Sequence, residues 1–486
     1  MCYNIAKNAI AFLLFIILTG CKKLISVPAP ATKLSSENVF TNNNTAASVL
    51  TGIYTWIASS PPTPTDGIQL DQMFLVCGLS SDELTLNGAN ANTSVALATY
   101  YQNALIAGSP TTPNPTIYDE SYQLLYVANL SLEKLPASTS LTPSVQRQLM
   151  GEALFVRAFI YFNLVNLYGN LPLVTTSHYL VNTVMSASSP DAVYRQIIGD
   201  LLQAQSLLCD GYVASDALTP TIERVRPNKW AATALLSRAY LYDKKYDSAE
   251  IEATAIINNT SLFGTTALNN VFLKNSREAI WQLQPVNLGM NTDDGWVFIL
   301  PSTGPTSASN VHPVYLSSNI LADFEPGDQR RVNWIDSVIV NGATYYFPYK
   351  YKSATINAPV TEYQMVLRLA EQFLIRAEAR AMQNNVTGAQ ADLNTVRARA
   401  GLSGTPANDQ GSLMNAIEHE RKMELFTEWG HRWLDLKRLG LIDKVMGMPE
   451  NVCSQKGGVW KSSWQWYPIP AYDILLDPRL QQNAGY

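Results

Sequence analysis

YQMVLRLAEQFLIRAEARAMQNNVTGAQADLNTVRARAG, from Tyr363 to Gly401, is the stretch whose pattern decides the fold. Val366, Leu369, Phe373, Ala377 and Met382 recur close to helical spacing, with Arg368, Glu371, Arg376 and Arg380 between them, which predicts an amphipathic helix. Asn384, Asn385 and Gly388 interrupt that pattern. A second helix follows, with Ala389, Leu393 and Val396 on its apolar face and Gly401 where a left-handed residue would close it. The unit is expected to be a helical hairpin.

Small Ala377 and small Ala389 stand twelve residues apart, the spacing at which the two helices of a tetratricopeptide-like pair approach closely. The same logic recurs in Lys229 to Asn258, where Leu236, Ser237, Tyr240 and Ala249 match positions of that pattern. Gln146 to Tyr168 and Ala192 to Leu208 form a third, partly matching pair. Gln146 to Tyr168 is apolar on almost every side, so it is expected to be buried, and it stops at Gly169 with Pro172 beyond. Further helices are expected over Thr45 to Ile57, carrying Val49, Ile53 and Trp56, over Ile117 to Leu135, and over Leu413 to Leu439 with a break at Gly430. Ala279 begins a strand-like AIWQLQ, and Ser337 to Val340 and Thr344 to Phe347 flank Asn341-Gly342, a dipeptide favoured in type I′ hairpin turns. The fold class is therefore mostly α, built of tetratricopeptide-like hairpins with small β-elements and long loops.

The chain has 486 residues, 47% hydrophobic and 15% charged, enough to bury a large core. Its net charge of -5 and dispersed basic residues argue against nucleic acid as a partner. Lys7 precedes an apolar run from Ala9 to Leu18, followed by Thr19, Gly20 and Cys21, the pattern of a secretory signal peptide over residues 1–20. That run is short for a membrane span, which needs about 20 residues. The Leu18-Thr19-Gly20-Cys21 tetrad resembles a bacterial lipobox, so Cys21 is the expected lipidation site, holding the body at a membrane by its acyl chains. Cys77, Cys209 and Cys453 then remain, an odd number without C-x-x-C spacing, and are expected to be buried free thiols.

The run ERKMELFTEWGHRWLDLKRLG carries Glu420, Arg421, Glu424, Glu428, Arg432, Asp435, Leu436, Lys437 and Arg438. The chain ends in WYPIP and QQNAGY, and earlier holds RLAEQFLIRAEARA, LNTVRARAGL, and Arg157-Ala158 followed by Tyr168, Gly169 and Pro172. In these motifs, taken in order, the chain resembles the SusD/RagB family of outer-membrane nutrient-binding lipoproteins, with Ala484 in place of the family's closing proline. The resemblance implies a SusD-like N-terminal part over 21–225 and a SusD/RagB C-terminal part over 226–486, joined in one globule. It also implies a non-catalytic subunit, lipid-anchored in the outer membrane and facing the cell surface, that binds a glycan or related nutrient for a TonB-dependent SusC-like transporter. No cofactor is implied. A ligand-free scaffold and a membrane-anchored glycoside hydrolase are the alternatives.

Glu420, Glu424 and Glu428 fall four residues apart, a spacing that could pair carboxylates for sugar hydrolysis, yet the interleaved Arg421, Lys422 and Arg432 point to structural ion pairs, with Glu428 and Arg432 at i,i+4. His178, His312, His419 and His431 show no metal-ligand spacing, and no G-x-S-x-G elbow or phosphate loop is present. Asn291 to Gly295 departs from the EF-hand pattern and predicts a turn. Aromatic residues are the better lead, since sugar rings stack their C–H faces on them. Trp56, Trp230, Trp429 and Trp433 lie on predicted helices and are expected in the core. Trp296, Trp334, Trp460 and Trp464, with Tyr100 and Tyr101, lie in loop-rich stretches. Of these, Trp296, Trp334, Tyr100 and Tyr101 are the candidate ligand contacts, with Pro285 to Pro313 as one wall of the site and Thr85 to Pro115 as another. Metal ligands are not expected.

Overall fold

The computed structural model describes residues 39–59, 68–88, 95–108, 117–306 and 311–486, so the leader and Cys21 fall outside the described residues. Helices make up most of the rest. They are α1 (Asn43–Ile57), α2 (Met73–Ser80), α3 (Val95–Tyr101), α4 (Ile117–Lys134), α5 (Pro143–Tyr168), α6 (Pro190–Leu207), α7 (Lys229–Tyr242), α8 (Tyr246–Ile257), α9 (Asp293–Phe298), α10 (Leu369–Met382), α11 (Val386–Arg399), α12 (Gln410–Leu425), α13 (His431–Arg438) and α14 (Ala471–Leu476). Three two-stranded antiparallel pairs carry or brace the loop face: β1 (Leu84–Leu86) with β3 (Val314–Leu316), β2 (Ala279–Leu283) with β6 (Gln364–Arg368), and β4 (Ile335–Val340) with β5 (Ala343–Pro348).

The long helices stack in chain order: α4 on α5, α5 on α6, α6 on α7, α7 on α8, α8 on α10 and α10 on α11, with α12 closing over the last two. α8 and α10 touch although a long insertion separates them in sequence, so that insertion is looped out of the array. Ser237, Ala249, Ala377 and Ala389 are all fully buried where these helices cross. Gly401 has a left-handed φ of 75° just beyond α11, as its position predicts.

One boundary differs from the periodicity. Val366 belongs to strand β6, and α10 begins only at Leu369, because the strand is buried along its whole length and such an apolar run looks alike as strand or helix. The helix over Leu413 to Leu439 breaks at Gly430 as expected, into α12 and α13, with Thr427, Trp429 and Gly430 at positive φ between them. At Gly430 a Cβ would lie 2.8 Å from the side chain of Cys77, so only glycine fits. The Asn341-Gly342 turn forms as expected, with φ of 49° and 82°.

The core centres on α5. Trp281 from β2 meets Phe155 and Phe159 edge-on at 4.9 and 5.2 Å, and Phe159 meets Trp429 at 5.4 Å, so helix, strand and the α12–α13 turn share one aromatic cluster. Trp433 is buried with it, whereas Trp230 is only partly buried. Trp56 is 40% exposed, because Ile53, Tyr54 and Ile57 occupy the core face of α1. Cys77 and Cys453 are buried free thiols, and Cys209 is half-buried.

Charged residues tie the array together. Arg157 grips Asp200 through two bonds of 2.8 and 2.7 Å and Asn129 through a third, joining α5, α6 and α4. Arg238 does the same to Glu371 across α7 and α10, and Arg376 to Asp392 across α10 and α11. The polar residues of the hairpin therefore face partners inside the protein and not solvent. The densest joint is built on Glu420, Glu424 and Glu428. Arg330 donates to Glu420 at 2.6 Å and to Glu424 at 3.1 Å, Arg368 to Glu424 and Glu428 at 2.5 and 2.7 Å, Arg399 to Glu424, and Lys350 to Glu428 at 2.5 Å. Glu428 does not pair with Arg432. It lies in the turn beyond α12, and Arg432 reaches Asp82 and Glu418 instead. The expectation of structural ion pairing holds, with different partners.

Burial alone would raise the Glu424 pKa, but Arg399, Arg368 and Arg330 outweigh it and hold the carboxyl well below the usual range. A depressed folded-state pKa means that this carboxylate stabilises the fold above its unfolded pKa of about 4.3 and loses that contribution as pH falls. Glu424→Gln is expected to cost about 3–5 kcal/mol at neutral pH, as for other broken buried ion pairs. In chemical denaturation the gap to the native chain should narrow by about 1–2 kcal/mol between pH 6 and pH 3. A gap independent of pH would contradict the assignment.

Candidate functional site

The two loop stretches expected to wall the site do meet. β1 and β3 pair so that Leu84 lies opposite Leu316, Thr85 opposite Tyr315, and Leu86 opposite Val314. With period-two alternation the four aliphatic side chains turn inward and are buried, leaving Thr85 and Tyr315 side by side on the outer face. Asn87 extends the contact, donating its backbone N–H to Pro313 O at 2.7 Å and its amide to Pro305 O and Thr306 O at 3.2 and 2.7 Å. Tyr345 of β5 adds its ring edge-on to Tyr315 at 5.2 Å. Trp296 and His312 face each other nearby with ring centres 6.0 Å apart.

This aromatic strip has unmet hydrogen-bonding capacity. Among the described residues the Trp296 Nε1 and the His312 Nδ1 are both buried without a partner. Burial lowers the His312 pKa, against a smaller opposing effect of the Trp296 and Val297 backbone, so the ring favours its neutral form. An unmet buried donor or acceptor costs about 1–3 kcal/mol, which a ligand hydroxyl or a water can recover. Rings with apolar faces beside free polar atoms are what a sugar requires, and they are supplied here by short elements projecting from the scaffold.

The anchoring of those elements runs back to the α12–α13 motif. Asp82, just before β1, is held by Arg432 at 2.7 and 2.8 Å and by Lys422 at 2.7 Å. Burial opposes its ionisation, but Arg432 and Lys422 outweigh burial and depress its pKa strongly. Adjacent Glu83 accepts from the Thr427 N–H at 3.1 Å and, through burial and the Asp82 charge, is raised to about 7. The neighbouring segment that bears β4 and β5 is pinned by Arg330 and Lys350 to Glu420, Glu424 and Glu428. Below Trp296, Asp294 accepts from Gln364 at 3.0 Å, and burial with the Asp293 charge raises its pKa well above the ordinary value.

Several sequence candidates are relocated. Trp334 is 0% exposed, packed against Phe272 and Phe426, with its Nε1 donating to Leu268 O at 3.0 Å, so it is a core residue and not a ligand contact. Its loop-like neighbourhood hides that it caps a short helix and enters β4. Tyr100 is 9% exposed and packs edge-on against Tyr467, which removes it from the ligand surface. Tyr101 is 8% exposed, with its hydroxyl beside Thr85 and Tyr315, so it offers the site at most a polar edge and no stacking face. Trp296 lies on α9, capped by Thr292 at 3.1 Å to the Gly295 N–H, and not in an irregular loop. It is half-buried. Tyr315, Tyr345 and His312 join the site without having been candidates; the alternation Val314-Tyr315-Leu316 is the available signal, in a strand too short to stand out. Cys21 lies outside the described residues. Among the described residues no group of three or more His, Cys, Asp or Glu side chains is placed to hold a metal, and no helix is long and apolar enough to cross a membrane.

Comparison with known proteins matches this architecture. A model of the SusD family matches residues 334–486, and one described as starch-binding associating with outer membrane matches residues 77–241. The chain belongs to the SusD/RagB family. Two SusD-like proteins of Formosa agariphila are 26% and 25% identical to it, each over 76% of this chain and 79% of its own length. The fold is that of a SusD superfamily protein from Bacteroides vulgatus, with a TM-score of 0.76, 18% identity, and 91% and 99% of the two chains covered. A laminarin-binding SusD-like protein superimposes with a TM-score of 0.73 at 24% identity, over 92% of this chain and all of that one. The family's closing motif has a structural role here. Asn483 donates to Tyr168 O and Tyr467 O at 2.8 and 2.7 Å, and Gln482 both accepts from and donates to the Ile469 backbone, stapling the Pro-Ile-Pro segment onto the end of α5.

Proposed function

We propose that this SusD/RagB protein binds a glycan on the face formed by Trp296, His312, Tyr315, Tyr345 and Thr85, and presents it to a TonB-dependent SusC-like transporter without cleaving it. The observation that carries this reading is the aromatic strip with two buried, unpartnered ring nitrogens beside it. The laminarin-binding neighbour supports a β-glucan as one ligand class to try first. A hydrolytic role finds no support in Glu420, Glu424 and Glu428, because all three are consumed by Arg330, Arg368, Arg399 and Lys350 and none reaches the strip.

Isothermal titration with laminarin-derived and starch-derived oligosaccharides is expected to give saturable binding without product formation. Trp296→Ala should weaken it several-fold to about a hundredfold, matching roughly 1–3 kcal/mol for a stacked ring. Its melting temperature should fall only slightly, as befits a half-buried ring. Absence of saturable binding to any glycan would favour the scaffold alternative, and turnover of a labelled polysaccharide would favour the hydrolase.

The same reading places the protein on the outer membrane by acylation of Cys21, on the strength of the lipobox-like tetrad. Metabolic labelling with a fatty-acid analogue should mark the native chain and not Cys21→Ala. Label retained in the variant would overturn the anchor assignment.

A further inference from the structure

A second cleft, of about 420 Å³, opens between α4, the segment running from Pro172 to Thr183, and α14 with the residues after it. Its size falls within the range of small-molecule sites. None of its lining residues is shared with the loop face, and its chemistry is different.

Tyr118, Tyr122, Tyr126 and Tyr179 supply aromatic walls, and Asp119, Asp473 and Asp477 supply carboxyls, while no Lys, Arg or His is among the described residues that line it. Three polar atoms in that lining are short of partners. Among the described residues the Tyr118 hydroxyl, on a side chain only 3% exposed, lies beside that of Tyr122 without a hydrogen bond in good geometry, the Asn182 Oδ1 is buried and unmet, and the buried Asp473 Oδ2 has no partner beyond the neighbouring Asp119 carboxyl. Tyr122 has its own acceptor, donating to Pro172 O at 2.8 Å, so it does not need Tyr118. The Asn182 Oδ1 can only accept, and the Asp473 Oδ2 accepts once its carboxyl is ionised. Among the described residues that line it the cleft has buried acceptors and carboxyls but no positive charge, and it presents ring faces at its rim, where Tyr126 and Tyr179 are 49% and 70% exposed. An ammonium group would meet those acceptors with its three donors, bring the charge the carboxyls lack, and be attracted to the aromatic faces.

We propose that this cleft is a second binding site, taking a protonated amine carried on a sugar-sized frame, such as a hexosamine unit with a free amino group. The inference stands independently of the loop-face reading. Asp119 and Asp473 face each other across the floor, and burial together with the Asp119 charge raises the Asp473 carboxyl to about 7. The other titratable groups around that carboxyl are Tyr118 and Tyr122 from α4 and Asp477 beyond its own helix, none of them basic. An incoming ammonium group takes the place of the proton on Asp473.

The test is titration of the purified full chain with a glucosamine disaccharide and trisaccharide and with their N-acetylated counterparts. Saturable binding of the amine forms is expected, with the N-acetylated forms at least tenfold weaker and a proton released at pH 6.5, seen as a heat that depends on buffer ionisation. Asp473→Asn and Asp119→Asn should each weaken the amine form tenfold or more, and Asp473→Asn should abolish the proton release. Tyr126→Ala, at the exposed rim, should weaken it several-fold in a chain whose melting is unchanged, which guards against variants that misfold. Equal affinity for amine and N-acetylated forms, or no saturable binding of the amine forms at millimolar concentration, would overturn the proposal.

Discussion

Glu424 has no exposed surface and lies among three guanidinium groups, those of Arg330, Arg368 and Arg399, each from a different part of the chain. A carboxylate so placed is tolerable only while its partners remain, since an unpaired buried charge costs several kcal/mol. The constraint is reciprocal. Arg330 comes from the looped-out insertion, Arg368 from the end of β6 where α10 begins, and Arg399 from the end of α11, so satisfying one charge fixes the insertion against the helical hairpin. The neighbouring turn extends the joint to the N-terminal part, through Arg432 and Lys422 on Asp82 and Thr427 on Glu83.

One wall of the loop face and the hairpin beside it thus hang from one motif. β1 follows directly on Asp82 and Glu83, and the segment bearing β4 and β5 is tethered by Arg330 and Lys350. Short two-stranded pairs are marginal on their own in water. Here their ends are clamped by charged groups, leaving outer side chains such as Tyr315 and Tyr345 presented on a rigid base. That division suits a binding protein, with the frame held by buried ion pairs and the outer side chains left out of the core.

The helical array is legible in the sequence because its signals are local. Twelve-residue spacing of small residues, a helix apolar on all sides, and an Asn-Gly turn each reflect constraints that act within a few residues of chain. The site is only partly legible. Loop composition singles out Trp296 but misses that it stands on α9, and Trp334 cannot be placed at all, because its burial depends on Phe272 and Phe426, both distant in sequence. Tyr100 and Tyr101 mislead for the same reason, being covered by Tyr467 and by the Thr85–Tyr315 face. The roles of Asp82, Arg330 and Lys350 leave no periodic trace, since ion pairs across 78 to 350 residues follow from the fold and do not announce themselves in spacing. Glu428 shows the limit well: its helical spacing points to Arg432, and a change of backbone direction at Thr427 gives it Arg368 and Lys350 instead.

The central claim is that glycan is held on a loop face clamped to the helical array by buried ion pairs. Hydrogen–deuterium exchange of the full chain, with and without a saturating β-glucan oligosaccharide, addresses it most directly. The account predicts added protection in peptides covering residues 84–88, 293–306, 311–317 and 343–346, with α8, α11 and the amine cleft around Tyr126 unchanged. Protection centred on the helical array, or on the Tyr126 cleft, would contradict it.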